Sequence, residues 1–286
     1  MLSINEISKI ALKTEKVRLR LLEVIYNSRS GHVGGDLSVL NMIAALYYHT
    51  LKFDIQNPDH ENRDRFILSK GHCVEALYCV LESLEFIDSD TLNSYGKFNS
   101  LLAGHPSNKI PGIEFSGGSL GHGLSLGVGV AIGAKMDNKD FKTFVVMGDG
   151  ELNEGAVFEA AMSGGHFKLN NLVAIVDRNG LQISNSTEKV MTLEPLKERW
   201  ETMGWEVLEV NGDKIEDCIK ILDSINYTIQ KPHFIISRTT KGKGVSYMEN
   251  ALHWHHGVPD EVQYKQAVRE ISRSIEEWEG KSVNYL

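Results

Sequence analysis

The chain has 286 residues, of which 42% are hydrophobic and 24% are charged, and it carries a formal net charge of -8 at pH 7. This length and composition suffice for a substantial core, in one large domain or two small ones, and predict a soluble globular protein. The acidic balance argues against a surface for nucleic acid or for an anionic membrane, because both repel a protein of the same sign. Any bound phosphate therefore needs a local, specific site.

The three cysteines, Cys73, Cys79 and Cys218, lack the spacing of a metal site or of a disulfide framework. We interpret them as reduced thiols of a cytoplasmic protein. The first helix-like stretch, residues 2–27, carries charged side chains along its whole length. It is therefore predicted to be neither a signal peptide nor a membrane span.

Hydrophobic periodicity predicts helices that alternate with short apolar strands. Residues 4–22 have apolar side chains at roughly helical spacing, as in an amphipathic helix. Further helices are predicted over residues 37–51, 74–84, 121–135, 155–167, 193–203 and 214–225. Three short runs lack polar alternation, at residues 144–147, 172–176 and 234–237. Such runs are typical of strands covered on both faces, so the predicted fold is α/β, with a mostly parallel central sheet and helices on both faces.

No repeat, low-complexity tract or linker divides the chain. We therefore predict one domain over residues 1–276, followed by a loose C-terminal tail over residues 277–286.

The first apolar strand leads directly into Gly148-Asp149-Gly150 and then into a predicted helix. Glycines let the backbone approach a phosphate closely, and a hard divalent cation prefers carboxylate and carbonyl oxygens. The second strand ends close to Asn179, whose amide oxygen is expected at the same edge of the sheet. A lone Gly-Asp-Gly is also common in ordinary turns, but its pairing with the second strand and its Asn favours a metal and phosphate site.

This arrangement resembles the signature of thiamine diphosphate (ThDP) enzymes, in which aspartate, asparagine and one backbone carbonyl hold a divalent cation against the cofactor's diphosphate. The resemblance implies Asp149, Asn179 and the Leu181 carbonyl as metal ligands. Mg²⁺ suits this oxygen set best, with Ca²⁺ or Mn²⁺ as alternatives. The resemblance also implies that Gly148, Gly150 and Glu151 lie against the cofactor, together with Asn179.

Histidines adjoin glycines in five loop segments, at His32, His72, His105, His122 and the pair His255-His256. A single such histidine is usually an ordinary loop residue, but several could converge on one polar substrate. With these loops the chain resembles transketolase specifically, from about Ser30 to Gly257. The resemblance implies that His32, His72, His105 and His256 line the channel to the cofactor, bind the hydroxyls and carbonyl of the sugar donor and assist proton transfer.

The same resemblance implies lesser roles for several other residues. Gly118 and Leu120 would pack on the cofactor, as would His72, His256 and Lys241. Glu154 would belong to a proton relay between two active sites, although an acidic residue in the first turn of a helix also serves stability. The role of His122 stays open, because the family often has Gln at this position.

Single-chain transketolases continue through a domain that binds the aminopyrimidine ring and a third, C-terminal domain, and neither has a match in this sequence. The resemblance therefore implies the diphosphate-binding (PP) subunit of a split transketolase, which a separate pyrimidine-binding chain would complete as α2β2. The implied activity transfers a two-carbon ketol unit from a ketose phosphate to an aldose phosphate, in pentose phosphate or more specialised metabolism. Two alternatives remain open: the α subunit of a 2-oxo-acid dehydrogenase or acyloin-forming enzyme, and a non-catalytic PP-domain protein.

Overall fold

The computed structural model describes residues 2–283. Within this range the chain forms a five-stranded sheet in the order β1-β2-β3-β5-β4, and every neighbouring pair is parallel. The strands are β1 (Arg65–Leu68), β2 (Thr143–Gly148), β3 (Leu172–Arg178), β4 (Glu206–Asn211) and β5 (His233–Arg238).

Ten α-helices connect and flank these strands within the described range. They are α1 (Ile4–Ser28), α2 (Val33–Ala45), α3 (Val74–Ser83), α4 (Ser89–Asn93), α5 (Gly123–Met136), α6 (Gly155–His166), α7 (Thr187–Val190), α8 (Leu196–Thr202), α9 (Ile215–Asp223) and α10 (Glu261–Val283). The predicted helices correspond to α1, α2, α3, α5, α6, α8 and α9, with ends that differ by a few residues. The short helices α4 and α7 and the long helix α10 were not predicted.

The central strands send alternate side chains to opposite faces of the sheet. In β2, Phe144 and Val146 join a core formed with α1, α2, α3, α9 and α10. Val145 and Met147 join a second core formed with α5, α6 and α8. The predicted α/β architecture with helices on both faces is thus confirmed.

The two strands at the edges of the sheet were missed for different reasons. β1 has only four residues, which is too short to give a clear periodic signal. β4 has polar residues at Glu206, Glu209 and Asn211 and only one buried residue, Val210, because it has a neighbouring strand on one side only.

The last helix corrects the predicted tail. The α10 helix runs on to Val283, so the prediction that a loose tail begins at Glu277 is wrong for residues 277–283. Its apolar side packs on α1: Ala267 and Ile271 are buried, and Tyr264 stacks on Tyr26 with ring centroids 4.1 Å apart. Residues 284–286 lie outside the described residues.

The three cysteines are buried free thiols. In residues 2–283, none of the helices has both the length and the apolar composition needed to cross a membrane.

Candidate functional site

A cavity of about 480 Å³ opens at the edge of the sheet where the parallel strands end. This volume lies within the range of small-molecule and cofactor sites. Four strands supply loops to it: the loop after β1 brings Lys70, those after β2 and β3 bring Asp149 and Asn179, and the loop after β5 brings Lys241. The carboxyl ends of the strands therefore form the site, as the α/β fold predicts.

Asp149 is held rigidly at one end of this cavity and is only 2% exposed. Its Oδ1 accepts a hydrogen bond from the Gly150 amide at 2.8 Å, and its Oδ2 accepts one from the Gly180 amide at 2.6 Å. The guanidinium of Arg178 also donates to Oδ2, at 3.3 Å. Burial raises the pKa of Asp149, and the nearby Asp177 charge adds to this effect. A bound cation would offset both costs.

Asn179 and Leu181 lie at the same end of the cavity. The Asn179 amide nitrogen donates to Asp177 at 3.3 Å, and its Oδ1 accepts from the Leu181 amide at 3.1 Å. Gly180 between them has a φ of 77°, a left-handed conformation that favours glycine. The turn is therefore fixed by both backbone and side chain.

This end of the cavity suits a hard cation. No group of three or more His, Cys, Asp or Glu side chains within residues 2–283 could hold a metal ion, so a site made by this chain needs other oxygen donors. Asp149, Asn179 and Leu181 offer a carboxylate, an amide oxygen and a backbone carbonyl, which is the set that Mg²⁺ or Ca²⁺ prefers. The predicted metal ligands are thus brought together, and their chemistry fits the implied ion.

A buried ion pair, for which no sequence pattern gives a signal, forms the floor of the cavity. Lys70, which lines the cavity, donates to Asp177 Oδ2, and both side chains are at most 2% exposed. Ser38 donates to the same carboxylate oxygen at 2.6 Å, and Thr239 donates to Oδ1. Burial alone would lower the pKa of Lys70, but the charge of Asp177 outweighs it and holds this pKa above its ordinary value. The pair thus fixes a positive charge next to the proposed diphosphate position.

Glu151 is an acceptor for the loops that line the cavity. Its Oε1 accepts from the Gly121 amide at 2.9 Å and from the Ser69 hydroxyl, and its Oε2 accepts from the Gly148 amide at 3.0 Å. The buried carboxyl group therefore joins the turn after β2 to the loop that carries Leu120. It lines the cavity and also positions its neighbours, and its contact with the cofactor stays a prediction.

A cluster of four imidazole rings, from His32, His72, His255 and His256, occupies the other end of the site. The His32 ring centroid lies 5.3 Å from that of His72, 5.7 Å from that of His255 and 4.8 Å from that of His256. The centroids of His72 and His255 are 5.4 Å apart. We call these four residues the histidine cluster.

Three rings of the histidine cluster are held neutral at physiological pH. Burial, followed by the charge of His256, lowers the pKa of His32 to about 4. Burial, followed by the charge of Lys70, lowers the pKa of His72 to about 2. Burial, followed by the charge of Lys241, lowers the pKa of His255 to about 3. Neutral imidazoles can accept a hydrogen bond from a hydroxyl group. This end of the site can therefore bind and orient hydroxyl groups.

The sequence drew attention to His256, but His255 is the member of that pair that lines the cavity. The Lys241 ammonium donates to His255 Nδ1 at 2.9 Å. His256 is exposed and approaches the site through its contact with His32. The His-His-Gly segment offered both residues as candidates, and only the backbone conformation separates them.

The remaining predicted residues fall into two groups. Gly118, Leu120, Gly148, Gly150 and Lys241 line the cavity, as does the exposed residue His105, against whose ring Gly118 packs. Glu154 and His122 do not line it. Both are exposed: Glu154 precedes α6 without capping it, and His122 interacts with the Leu120 carbonyl at 3.1 Å.

Sequence reasoning missed one further part of the lining, which consists of Gln182, Ile183 and Ser184. These residues follow Leu181 in the loop after β3. A loop whose side chains form no recognisable chemical pattern gives no signal in one sequence, so only the fold reveals their place.

The chain matches the family described as "Transketolase, thiamine diphosphate binding domain" over residues 10–273. It is 55% identical over 274 residues to an apulose-4-phosphate transketolase subunit of Phocaeicola vulgatus, and the match covers 96% of this chain and 98% of that protein. It is 36% identical over 258 residues to a 6-deoxy-6-sulfo-D-fructose transketolase subunit from a Clostridium species, and this match covers 90% of this chain and 94% of that protein.

Among solved structures, the transketolase of Campylobacter jejuni superposes with a TM-score of 0.82 at 28% sequence identity. The superposition covers 98% of this chain and 49% of that one. The chain thus spans about half the length of this solved relative.

Proposed function

Because the chain belongs to the transketolase family and matches its thiamine diphosphate binding domain, we propose that it is the diphosphate-binding subunit of a two-chain transketolase. In this proposal it transfers a two-carbon ketol unit from a ketose phosphate to an aldose phosphate, together with a partner chain. The relatives are named transketolase subunits, which favours this activity over the 2-oxo-acid dehydrogenase and acyloin-forming alternatives.

The observation that carries the proposal is the division of one cavity into two chemically different ends. Asp149, Asn179 and Leu181 contribute oxygen atoms at one end, where Mg²⁺ would hold the diphosphate of ThDP. His32 and His72 stand at the other end. A non-catalytic PP-domain protein would need neither set, so their presence together argues for turnover.

Positive charge fixed inside the cavity would help to hold an anionic cofactor. Lys70 is anchored by Asp177, and Lys241 is 2% exposed and lines the same cavity. Burial, and after it the neighbouring Lys70 charge, lowers the pKa of Lys241. An incoming diphosphate would relieve this repulsion, because it would place negative charge beside two like charges that the protein holds close together.

When bound, ThDP supplies the carbanion chemistry that breaks and forms a carbon–carbon bond next to a carbonyl group. The side chains of this subunit would orient the sugar and move its protons. His32 and His72 are neutral, so each can accept a hydrogen bond from a donor hydroxyl and orient it. His105 would steer hydroxyl groups at the cavity mouth, and His256 would support His32.

An incomplete surface supports the need for a partner. The helices α5 and α6 leave large apolar side chains exposed, namely Leu126, Met136, Phe158, Met162 and Phe167, the last of these directly after α6. A Cβ atom at Gly129 or Gly133 of α5 would meet nothing within 4 Å. Such a surface is typical of a protein interface. We propose that the pyrimidine-binding chain and a second copy of this assembly cover it, as α2β2.

The substrate is proposed from the relatives. Apulose 4-phosphate is the first candidate donor, because the relative at 55% identity is named for it. Xylulose 5-phosphate is the second candidate, as the donor of central pentose phosphate metabolism. We also propose Mg²⁺ as the metal and the cytoplasm as the location, the latter because the three buried cysteines are free thiols.

The test mixes this chain with a candidate pyrimidine-binding partner chain and measures ketol transfer to an aldose phosphate. We expect activity with ThDP and Mg²⁺ only in the mixture, higher with apulose 4-phosphate than with xylulose 5-phosphate. Activity of the mixture on a 2-oxo acid, with none on either sugar, would contradict the proposal.

A further inference from the structure

Two buried carboxyl groups meet at the starts of α2 and α3. Asp36 Oδ1 accepts a hydrogen bond from the Ala76 amide at 3.0 Å, and Glu75 Oε1 accepts one from the Tyr95 hydroxyl. The second oxygens, Asp36 Oδ2 and Glu75 Oε2, are both buried and have no hydrogen-bond partner among the described residues. Ala76 directly follows Glu75 in the chain, so the bond from its amide to Asp36 brings the two carboxyl groups close together. Neither residue lines the cavity, and the proposed mechanism does not use them.

Two ionised carboxylates in contact would repel each other and leave two buried oxygens unsatisfied. One proton between Asp36 Oδ2 and Glu75 Oε2 removes the repulsion and gives both oxygens a partner. We propose that Asp36 and Glu75 share one proton, and that this acid pair positions His32 and His72. The positioning of His32 and His72 rests on the proposed function, because the two rings act on a substrate only if that function is correct.

The acid pair joins the backbone segments that carry the two histidines. The Asp36 amide donates to the His32 carbonyl at 3.1 Å, in the first turn of α2. Glu75 lies three residues after His72, and a Cβ atom at Gly31 would be only 3.3 Å from Glu75 Oε1. A bridge between the two carboxyl groups therefore ties the start of α2 to the start of α3. The distance between the His32 and His72 rings depends on that tie.

The surrounding groups do not neutralise the pair. The charged and titratable groups that face it are Lys70 from the segment after β1, Tyr95 from the segment after α4, and Cys73, Tyr78 and Cys79 from the start and body of α3. Lys70 is the one cation in this set, and its ammonium group is already bonded to Asp177. The pair must therefore keep a proton to avoid two buried negative charges.

The effect on titration follows from burial. Burial, and then the charge of Glu75, raises the pKa of Asp36 well above its ordinary value. Burial raises the pKa of Glu75 from 4.5 to about 7. A raised folded-state pKa gives stability that is present at low pH and is lost as pH rises through the folded value. His32, His72 and His255 have lowered pKa values and so affect stability in the opposite direction near pH 6.5, where the histidines of the unfolded chain titrate. Glu75→Gln keeps these three rings, so the difference between its pH profile and that of wild type reports the pair.

Four variants of this chain test the shared proton and the positioning role separately. Glu75→Gln keeps the bridge, because the amide nitrogen can donate to Asp36 while its oxygen still accepts from Tyr95. Glu75→Met removes the bridge, and Asp36→Asn replaces the other partner with a donor. Glu82→Gln is the matched control, because it removes a carboxyl group from the same helix, where Glu82 is partly buried and pairs with Arg20 away from the acid pair.

The shared proton is tested by infrared spectroscopy and by denaturation of the isolated chain. We expect a protonated-carboxyl band near neutral pH in wild type and Glu82→Gln that is absent in Asp36→Asn and Glu75→Gln. The wild-type unfolding constant should also rise with pH above 6.5, by at most about tenfold per pH unit for one proton, and Glu75→Gln should show a flatter profile. A wild-type chain without this band, or with the same slope as Glu75→Gln, overturns the shared proton.

The positioning role is tested by histidine ring signals in nuclear magnetic resonance and by ketol transfer. We expect Glu75→Met to shift the signals of His32 and His72 and to lower transfer about tenfold with ThDP affinity retained, while Glu75→Gln stays close to wild type. Equal ring signals and equal ketol-transfer rates in Glu75→Gln and Glu75→Met overturn the positioning role. If wild type with its partner makes no transfer at all, the proposed function has failed, and the ring signals alone then decide whether the pair positions the histidines.

Discussion

The two ends of the cavity are built in opposite ways. At the metal end, the Asp149 carboxylate is fixed by the Gly150 and Gly180 amides and stands beside charged groups. At the histidine end, the rings of His32 and His72 are held mainly by contact with other rings, and His32 Nδ1 is buried with no partner among the described residues. The metal end holds a rigidly bonded carboxylate beside charged groups. The rings at the histidine end are neutral, one of them accepts from the Lys241 ammonium, and His32 Nδ1 still lacks a partner among the described residues.

This difference separates binding from chemistry. A fixed carboxylate and fixed cations suit a cofactor that stays bound through many turnovers. Neutral imidazoles with free ring nitrogens suit a substrate that arrives, exchanges protons and leaves. Changes at the first end should therefore affect cofactor affinity, and changes at the second should affect turnover.

The largest effect is expected at the metal end. Asp149→Ala removes the carboxylate ligand, so we expect ThDP binding in the presence of Mg²⁺ to weaken about hundredfold or more and ketol transfer to be lost. Calorimetric titration of ThDP into the chain with its partner measures this affinity. Asp140→Ala is the matched control, because Asp140 precedes the same strand and is exposed at its other end. Tight ThDP binding by Asp149→Ala would remove the distinction between the two ends.

The second largest effect is expected at the histidine end, on the rate of ketol transfer. His72→Asn should lower ketol transfer about 10²-fold, because a neutral ring that accepts a hydrogen bond from the donor is lost, and should leave ThDP affinity close to that of wild type. Steady-state rates with the partner chain, together with the same titration, separate the two quantities. His60→Asn, at an exposed loop position, should change neither. A parallel loss of affinity and rate in His72→Asn would mean that the ends are not separable.

A smaller effect is expected on the stability of the folded chain at acidic pH, and its direction follows from the lowered pKa values of two histidines. The pKa of His32 is lowered to about 4 and that of His72 to about 2. Below pH 6.5 these two histidines are therefore protonated in the unfolded chain while they are still neutral in the folded chain. The contribution of these two rings to stability should therefore be full above pH 6.5 and fall as the pH decreases towards 4. Denaturation at several pH values should show a shallower loss in His72→Asn than in wild type. An equal loss in both proteins would show that His72 is not held neutral.

The smallest effect distinguishes two neighbouring histidines. His255→Asn should lower transfer about tenfold, because His255 lines the cavity and accepts from Lys241, and His256→Asn should lower it less. Ketol-transfer rates of the two variants with the partner chain decide the order. The opposite order would return the principal role to His256, as the resemblance to transketolase implies.

The strands that could be predicted from the sequence are those that are covered on both faces of the sheet. β2, β3 and β5 lie in the interior of the sheet and read as unbroken apolar runs. The edge strand β4 carries Glu206 and Glu209 and gives no such signal. The long helix α10 was missed because it is amphipathic and highly charged, and its apolar side becomes recognisable only when α1 is placed against it.

Site residues could be predicted from the sequence where they directly follow a strand. Asp149 and Asn179 fall at strand ends, so the parallel sheet alone brings them together. The pair Lys70–Asp177 joins residues 107 positions apart, and neither residue looked unusual beside its sequence neighbours. The Asp36–Glu75 pair is hidden for the same reason, because the contact forms only when α2 packs on α3.

The most direct test of the two-ended cavity is a crystal structure of this chain with its partner, ThDP and Mn²⁺, with the metal located by anomalous scattering. We predict one peak bounded by the Asp149 carboxylate, the Asn179 amide oxygen and the Leu181 carbonyl, and none among the rings of the histidine cluster. A peak held by His32, His72 or His255, or no peak beside Asp149, would contradict the account.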